Sequence, residues 1–229
     1  MMYFNNRAQA GRELAKKMDD YHNKQVVVLA LSPGAVIIGA QIAMKLHANL
    51  MLLLTESIYL PGENDPIAAM TSAGTFTYNN MFSPGQLEEY ITEYHHFIEE
   101  RRIEKLHKLN KLVGKDGEIN KNYLRHHTVI VVSDGLSSGF SLDIAAMFLK
   151  TVAIDKLIVA TPLASIPAVD RMHLFADEII CLSVVVNYLG TDHYYDDNTI
   201  PSTEHLFELI RNITVNWERE KPIAKTQIK

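Results

Sequence analysis

The sequence predicts an α/β fold, an open and mainly parallel sheet flanked by helices, on three observations. Apolar runs of strand length recur along the chain, each is followed by a loop and a helix-like segment, and the runs are apolar at nearly every position. Alternation of strand and helix is the pattern of a parallel sheet covered on its faces. Continuous rather than every-second apolarity means that both faces of each strand are buried.

The strands expected in chain order are Gln25 to Leu31 (QVVVLAL), Ala48 to Leu54 (ANLMLLL), Thr128 to Val132 (TVIVV), Lys156 to Pro162 (KLIVATP) and Glu178 to Val186 (EIICLSVVV). An amphipathic helix over Asn5 to Met18 precedes the first strand, and crossover helices are expected over Ala35 to His47, Ser141 to Ala153 and Ser165 to Ala176. The alternation breaks in an insertion over 55–127. A turn-rich loop, ESIYLPGENDP, leads there into one long helix whose stripe is Leu87, Ile91, Tyr94, Ile98, Leu106, Leu109 and Val113, ended by Gly114 and the turn GKDGEIN. A polar and aromatic excursion over 187–200 follows the last strand, then a terminal helix around STEHLFELIRNI. One domain over 1–217 is expected, with 218–229 as a flexible tail.

Bulk properties exclude several classes. A net charge of −5 and a pI near 6.0 lack the basic excess of nucleic-acid binders. Cys181 is the single cysteine, which fits a reducing compartment, and no segment reaches the roughly 18 apolar residues of a membrane span. With no secretory layout at the N-terminus, a cytoplasmic location is expected and neither nucleic acid nor membrane is a partner. The pairs His95–His96 and His126–His127 are adjacent in sequence, so neither shares a helix face as metal ligands would, and no direct metal site is expected.

Ligands of open parallel sheets bind beyond the carboxyl ends of the strands. The loop after the third strand offers Asp134, Gly135, Leu136, Ser137, Ser138, Gly139, Phe140 and Ser141, in which hydroxyls, glycine turns and a helix start together favour a phosphate, with Asp134 placed to accept from sugar hydroxyls. Taken alone, the same segment is more often an ordinary serine-capped turn.

The segment FNNRAQAGRELA (Phe4 to Ala15), with LALSPGAVIIGAQIAMKL, LPGENDPIAA, VIVVSDGLSSGFSL, VATPLAS and GTDHYYDD, resembles the type I phosphoribosyltransferases over roughly residues 4 to 212. The likeness is to a bacterial branch whose leading segment reads F-x-x-R-x-x-A-G-x-x-L-A. It implies a 5-phosphate loop at 134–141, a diphosphate loop at Ser32, Pro33, Gly34 and Ala35, a hood over a base near Thr161, Leu163, Tyr188 and Tyr194, and Mg2+ when phosphoribosyl diphosphate is bound. It also implies a cis peptide in the diphosphate loop, hence at Ser32–Pro33.

Three departures from the pattern bear on activity. Ser133 stands where the first of two acids belongs, Pro33 replaces the arginine of the diphosphate loop, and Glu56 lies where a cation feeds the catalytic loop. Charge-assisted hydrogen bonds contribute about 1.5–3 kcal/mol each, so their loss weakens diphosphate binding by roughly three to five orders of magnitude. The expectation is a protein that binds a phosphorylated ribose or nucleotide with weak or lost transfer. Two alternatives stand beside it: an active transferase that borrows Arg101, Arg102 or a second subunit of a homodimer, and an oligomeric interaction module.

Overall fold

The computed structural model describes residues 2–63, 65–113 and 119–220, with side chains of the last helix described as far as Ile213. In chain order the elements are β1 (Phe4–Asn6), α1 (Arg7–Ala15), β2 (Val26–Ala30), α2 (Pro33–Leu46), β3 (Asn49–Leu52), β4 (Thr55–Tyr59), β5 (Pro66–Thr71), β6 (Phe76–Tyr78), α3 (Pro84–Glu93), α4 (His95–Val113), β7 (Thr128–Val132), α5 (Phe140–Lys150), β8 (Lys156–Ser165), α6 (Ile166–Phe175), β9 (Glu178–Val185), β10 (Tyr195–Asp197) and α7 (Thr203–Glu220).

The five expected strands form one parallel sheet in the order β3-β2-β7-β8-β9. Successive side chains point to opposite faces of a strand, and the core divides accordingly. Val26, Val28, Ile130, Val132, Ile158 and Ala160 share one cluster with Leu14 of α1, Ile38 and Ile42 of α2 and Leu206 of α7. The neighbours Val27, Leu29, Val129, Val131 and Val159 share the other with Phe148 of α5 and Met172 of α6. Helices on both faces account for the unbroken apolar runs.

The insertion differs from its expected loop and single helix. Strands β4, β5 and β6 form an antiparallel sheet in that order, and the helical stretch is two helices meeting at Tyr94, whose φ of −104° and ψ of 19° leave the helical region. Ser83 and Gln86 cap the first helix reciprocally, with Pro84 in its opening turn. Along the stripe, Ile98, Leu109 and Val113 are buried; Ile98 packs with Ile58, Ile67 and Ala68 of the small sheet and with Leu60 just after β4. The expected stop at Gly114, most of the GKDGEIN turn and most of the tail lie outside the described residues.

A second small sheet pairs β1 with β10 in parallel, so the first strand supports the excursion that follows β9. No helix among the described residues is long and apolar enough to cross a membrane.

Replacing Ile98 by Ala leaves a cavity between α4 and the antiparallel sheet and costs about 2–5 kcal/mol. Hydrogen exchange is expected to show faster opening of β4 to α4 while amides of the parallel sheet keep their protection; uniform loss of protection would show that the insertion does not open separately.

Candidate functional site

The site is assembled from three loops at one end of the parallel sheet and from the start of α1. Its centre is Arg7, which is only 3% exposed. Asn6 caps α1 by accepting the Gln9 amide, and the buried face of α1 carries Ala10, Gly11, Leu14 and Ala15 against the core. That face fixes Arg7 at the helix start, aimed under the excursion. The guanidinium donates from Nε to Asp134 Oδ2 at 2.8 Å, from one terminal nitrogen to Asp192 Oδ1 at 2.6 Å and from the other to Asn198 Oδ1 at 3.1 Å. It also lies over the Tyr195 ring, 4.7 Å from the centroid. Burial alone pushes the Arg7 pKa down, but the bonds to Asp134 and Asp192 outweigh it and hold it above its ordinary value.

Asp134 follows β7 and has both carboxylate oxygens engaged, Oδ2 by Arg7 and Oδ1 by the Ser32 hydroxyl at 2.8 Å. Its backbone carbonyl accepts from the Tyr195 hydroxyl at 2.6 Å. Burial is the main reason that the Tyr195 phenol titrates far above its usual range, with the Asp134 charge adding to it. The phenol is a fixed donor at any working pH. Ser133, where the resemblance implies an acid, turns into its own loop, donating to the Gly135 carbonyl and accepting the Gly135 amide.

The loop after β2 is a helix start. Ser32 caps α2 by accepting the Ala35 amide at 3.0 Å, and Pro33 opens the first turn, where a missing N–H costs nothing. The Ser32–Pro33 peptide is trans, not cis as the resemblance implied. Proline at the first position of a helix with a serine cap satisfies the local geometry without a cis bond. Gly34 is required by close approach: a Cβ there would stand 2.1 Å from Asp134 Oδ2 and 2.6 Å from Arg7 Nε.

In the loop after β7 the residues take different roles. Leu136 is buried and bridges to β8, its amide donating to the Leu163 carbonyl and its carbonyl accepting the Ser165 amide. Ser137 is exposed, with its carbonyl bound by the Ser165 hydroxyl. Ser138 accepts the Phe140 amide, Gly139 takes φ +76° as the N-cap of α5, and Ser141 is half-buried in the first helical turn. Phe140 packs with Ile144 and with Ala69 of the insertion. Asp143, one turn on, pairs with Arg171, which also binds Asn80 Oδ1 at 2.8 Å, so the insertion is tied to the helix that follows the loop. Burial pushes the Asp143 carboxyl up, against the pull of Arg171.

A cleft of about 390 Å³ is lined by Arg7, Ser32, Pro33, Gly34 and Asp134 on the sheet side, while Ala35 and the rest of the expected phosphate loop, Gly135 to Ser141, are not among its lining residues. Leu189, Gly190, Thr191, Asp192, His193 and Ile200 cover it. The residues expected beside a base sit elsewhere. Thr161 and Leu163 are wholly buried within β8, bonded to each other. Tyr194 has no exposed surface; its hydroxyl donates to the Asn187 carbonyl and accepts the Leu189 amide. Tyr188 bonds Thr191, and burial raises its phenol to about 12. Both tyrosines hold the hood's shape, while His193, Leu189 and Ile200 face the cleft.

Glu56 points away from the cleft. It is bound by Lys105 at 2.8 Å and Lys108 at 2.6 Å, both on α4. Arg101 pairs with Glu104 and lies over Phe97, and Arg102 pairs with Glu99 and lies over Phe76. Neither arginine lines the cleft. The cation that does is Arg7, and the motif F-x-x-R contained it without revealing its partners.

A phosphoribosyl transferase domain model matches residues 2–198. Proteins from two strains of Mycobacterium tuberculosis, each named provisionally as a phosphoribosyl transferase, are 25% identical over 212 residues, or 90% of this chain. The chain spans 46% of the length of those relatives. The solved structure of TT1426 from Thermus thermophilus shares the fold, with a TM-score of 0.69 and 23% identity over 92% of this chain and 99% of that one.

Gly34→Ala is expected to push Asp134 off Arg7 and to destabilise the protein by about 1–3 kcal/mol, measured by denaturant unfolding. A second expectation concerns acid. Partial burial raises the Glu56 pKa, but Lys105 and Lys108 outweigh this and hold it below the ordinary 4.5. A folded-state value below the unfolded one means that the stabilisation is present above about pH 4.5 and is lost as pH falls through the folded value. Glu56→Gln should therefore lower stability at neutral pH and flatten the acid limb of the stability profile; an unchanged limb would refute the assignment.

Proposed function

The chain belongs to the phosphoribosyl transferase domain family, and from that membership we propose that it binds a phosphorylated ribose unit, as the sugar phosphate or within a nucleotide, with weak or lost transfer from phosphoribosyl diphosphate. The observation that carries this reading is the commitment of Arg7. Among the described residues lining the cleft only Arg7 and His193 can bear positive charge, and the guanidinium is already shared between Asp134 and Asp192.

Binding and transfer make different demands. A monoester is held by backbone amides and hydroxyls at a helix start, and the Ser137 to Ser141 turn into α5, outside the cleft's lining but only three residues past Asp134, has that composition. A carboxylate offers about four lone-pair sites, of which Asp134 uses two, so ribose hydroxyls can still donate to it. The cleft volume suits a small ligand, for which pockets run from about 300 Å³ upward. Departure of diphosphate, in contrast, requires positive groups aimed at the charge that develops on the leaving oxygens. Ser32, Pro33 and Gly34, the part of the loop after β2 that lines the cleft, carry none.

Mg2+ accompanies phosphoribosyl diphosphate in the family, but the residues here do not fit it well. The loop's one carboxylate in the cleft is paired with a buried guanidinium, whose charge opposes a second cation there.

Calorimetry with ribose 5-phosphate, nucleoside 5′-monophosphates and the matching nucleosides is the test. The expected result is binding of the 5′-monoesters and none of the nucleosides. With phosphoribosyl diphosphate and a panel of bases, diphosphate release is expected below about 0.1 s⁻¹, under the usual range of enzyme turnover. Turnover of about 1 s⁻¹ or more would establish a working transferase instead.

A further inference from the structure

We infer that Arg7 is the built-in counter-ion of this cleft, holding the electrostatic place of a divalent cation, so that the phosphorylated ribose is taken up without Mg2+. The ligand half of this inference rests on the function proposed above; the metal half does not.

Four observations converge. First, Arg7 fixes both carboxylates that line the cleft, at 2.8 Å to Asp134 and 2.6 Å to Asp192. A metal ion on Asp134 would stand within a few ångström of a buried guanidinium, where like charges repel strongly because solvent screens them little. Second, the other oxygen of Asp134 accepts the Ser32 hydroxyl, and the backbone at Gly34 is so close to Oδ2 that even a methyl group there would overlap it. An ion that keeps several waters has no room on that side. Third, the residue next to Asp134 is Ser133, whose hydroxyl turns onto Gly135, so the only other described carboxylate lining the cleft is the exposed Asp192. Fourth, α2 starts at the same wall, and the positive end of its dipole further disfavours a cation.

Charge balance agrees with this. Asp192 is 72% exposed and solvated, so the buried part of the cleft holds one positive and one negative group, Arg7 and Asp134. That pair is neutral before any ligand arrives. Among the described residues, no group of three His, Cys, Asp or Glu side chains is arranged to hold a metal ion.

Two measurements decide the matter. Mn2+ alone is titrated into the protein and free Mn2+ is followed by electron paramagnetic resonance; no site tighter than about 1 mM is expected, the weak end of protein divalent-ion sites. Ribose 5-phosphate is then titrated calorimetrically in millimolar Mg2+ and in chelator, with affinities expected to agree within about twofold, a difference too small to reflect a bridging ion. Arg7→Met, which removes the charge and keeps an apolar stem, should create a Mn2+ site at least about tenfold tighter than that of the wild type, and Asp134→Asn in the same background should abolish it.

A wild-type Mn2+ site tighter than 1 mM that Asp134→Asn removes would overturn the inference, as would a tenfold gain in ribose 5-phosphate affinity on adding Mg2+. A Mn2+ site that survives Asp134→Asn lies outside this pair and leaves the inference standing. Should Arg7→Met fail to fold, the wild-type titrations still decide. Failure of ribose 5-phosphate to bind at all would sink the proposed function, while the Mn2+ titration would still judge the counter-ion.

Discussion

A guanidinium buried at the start of the first helix governs the arrangement of everything around it. Arg7 cannot be left unpaired at that depth, because an uncompensated charge out of water costs several kcal/mol. Its partners are drawn from distant parts of the chain: Asp134 after β7, and Asp192 and Asn198 from the hood. Satisfying one group therefore fixes the height of the hood, the position of the loop after β7 and the distance of both from α2. The Tyr195 hydroxyl on the Asp134 carbonyl and the pairing of β1 with β10 reinforce the same closure. A buried ion pair of this kind specifies geometry more than it adds stability.

The parallel core was legible because its physics is local. Runs such as VVVLA and TVIVV are apolar at every position, and a strand buried on both faces must look like that. The insertion was harder to read. In β4 the residues Thr55, Glu56 and Ser57 are polar, with Ile58 alone fully buried, while the apolar run of β5 is enclosed by turn formers. Helical spacing continued through Tyr94, which disguised the break between α3 and α4. Periodicity reports which face is buried, not whether the axis is continuous.

The site shows the same division. The Asp134 loop and the Ser32 to Ala35 loop could be placed beside a cleft from the strands that precede them, since sheet topology puts strand ends together. Side-chain partners could not be placed. Arg7 meets groups 127 and 185 positions away, and Glu56 turned to Lys105 and Lys108, a choice that only the insertion's own packing decides. Aromatic residues misled for a related reason. Tyr194 sits in a polar segment, yet a ring on a short excursion finds its burial beneath that excursion, and the ring went inward.

The sequence separation of Arg7 from its partners also bears on how the molecule comes into being. Contacts that close very long loops are late rewards in folding, because chain entropy must be lost before they form. Arg7 leaves the ribosome before its partners, with Asp134 following 127 residues later and Asn198 191 residues later, so a growing chain carries an incompletely matched cation until that whole stretch has been made. The parallel sheet can assemble in stages around its central strands. The cleft is complete only when residues 192 and 198 reach Arg7, and its appearance marks the point at which the two ends of the fold have met.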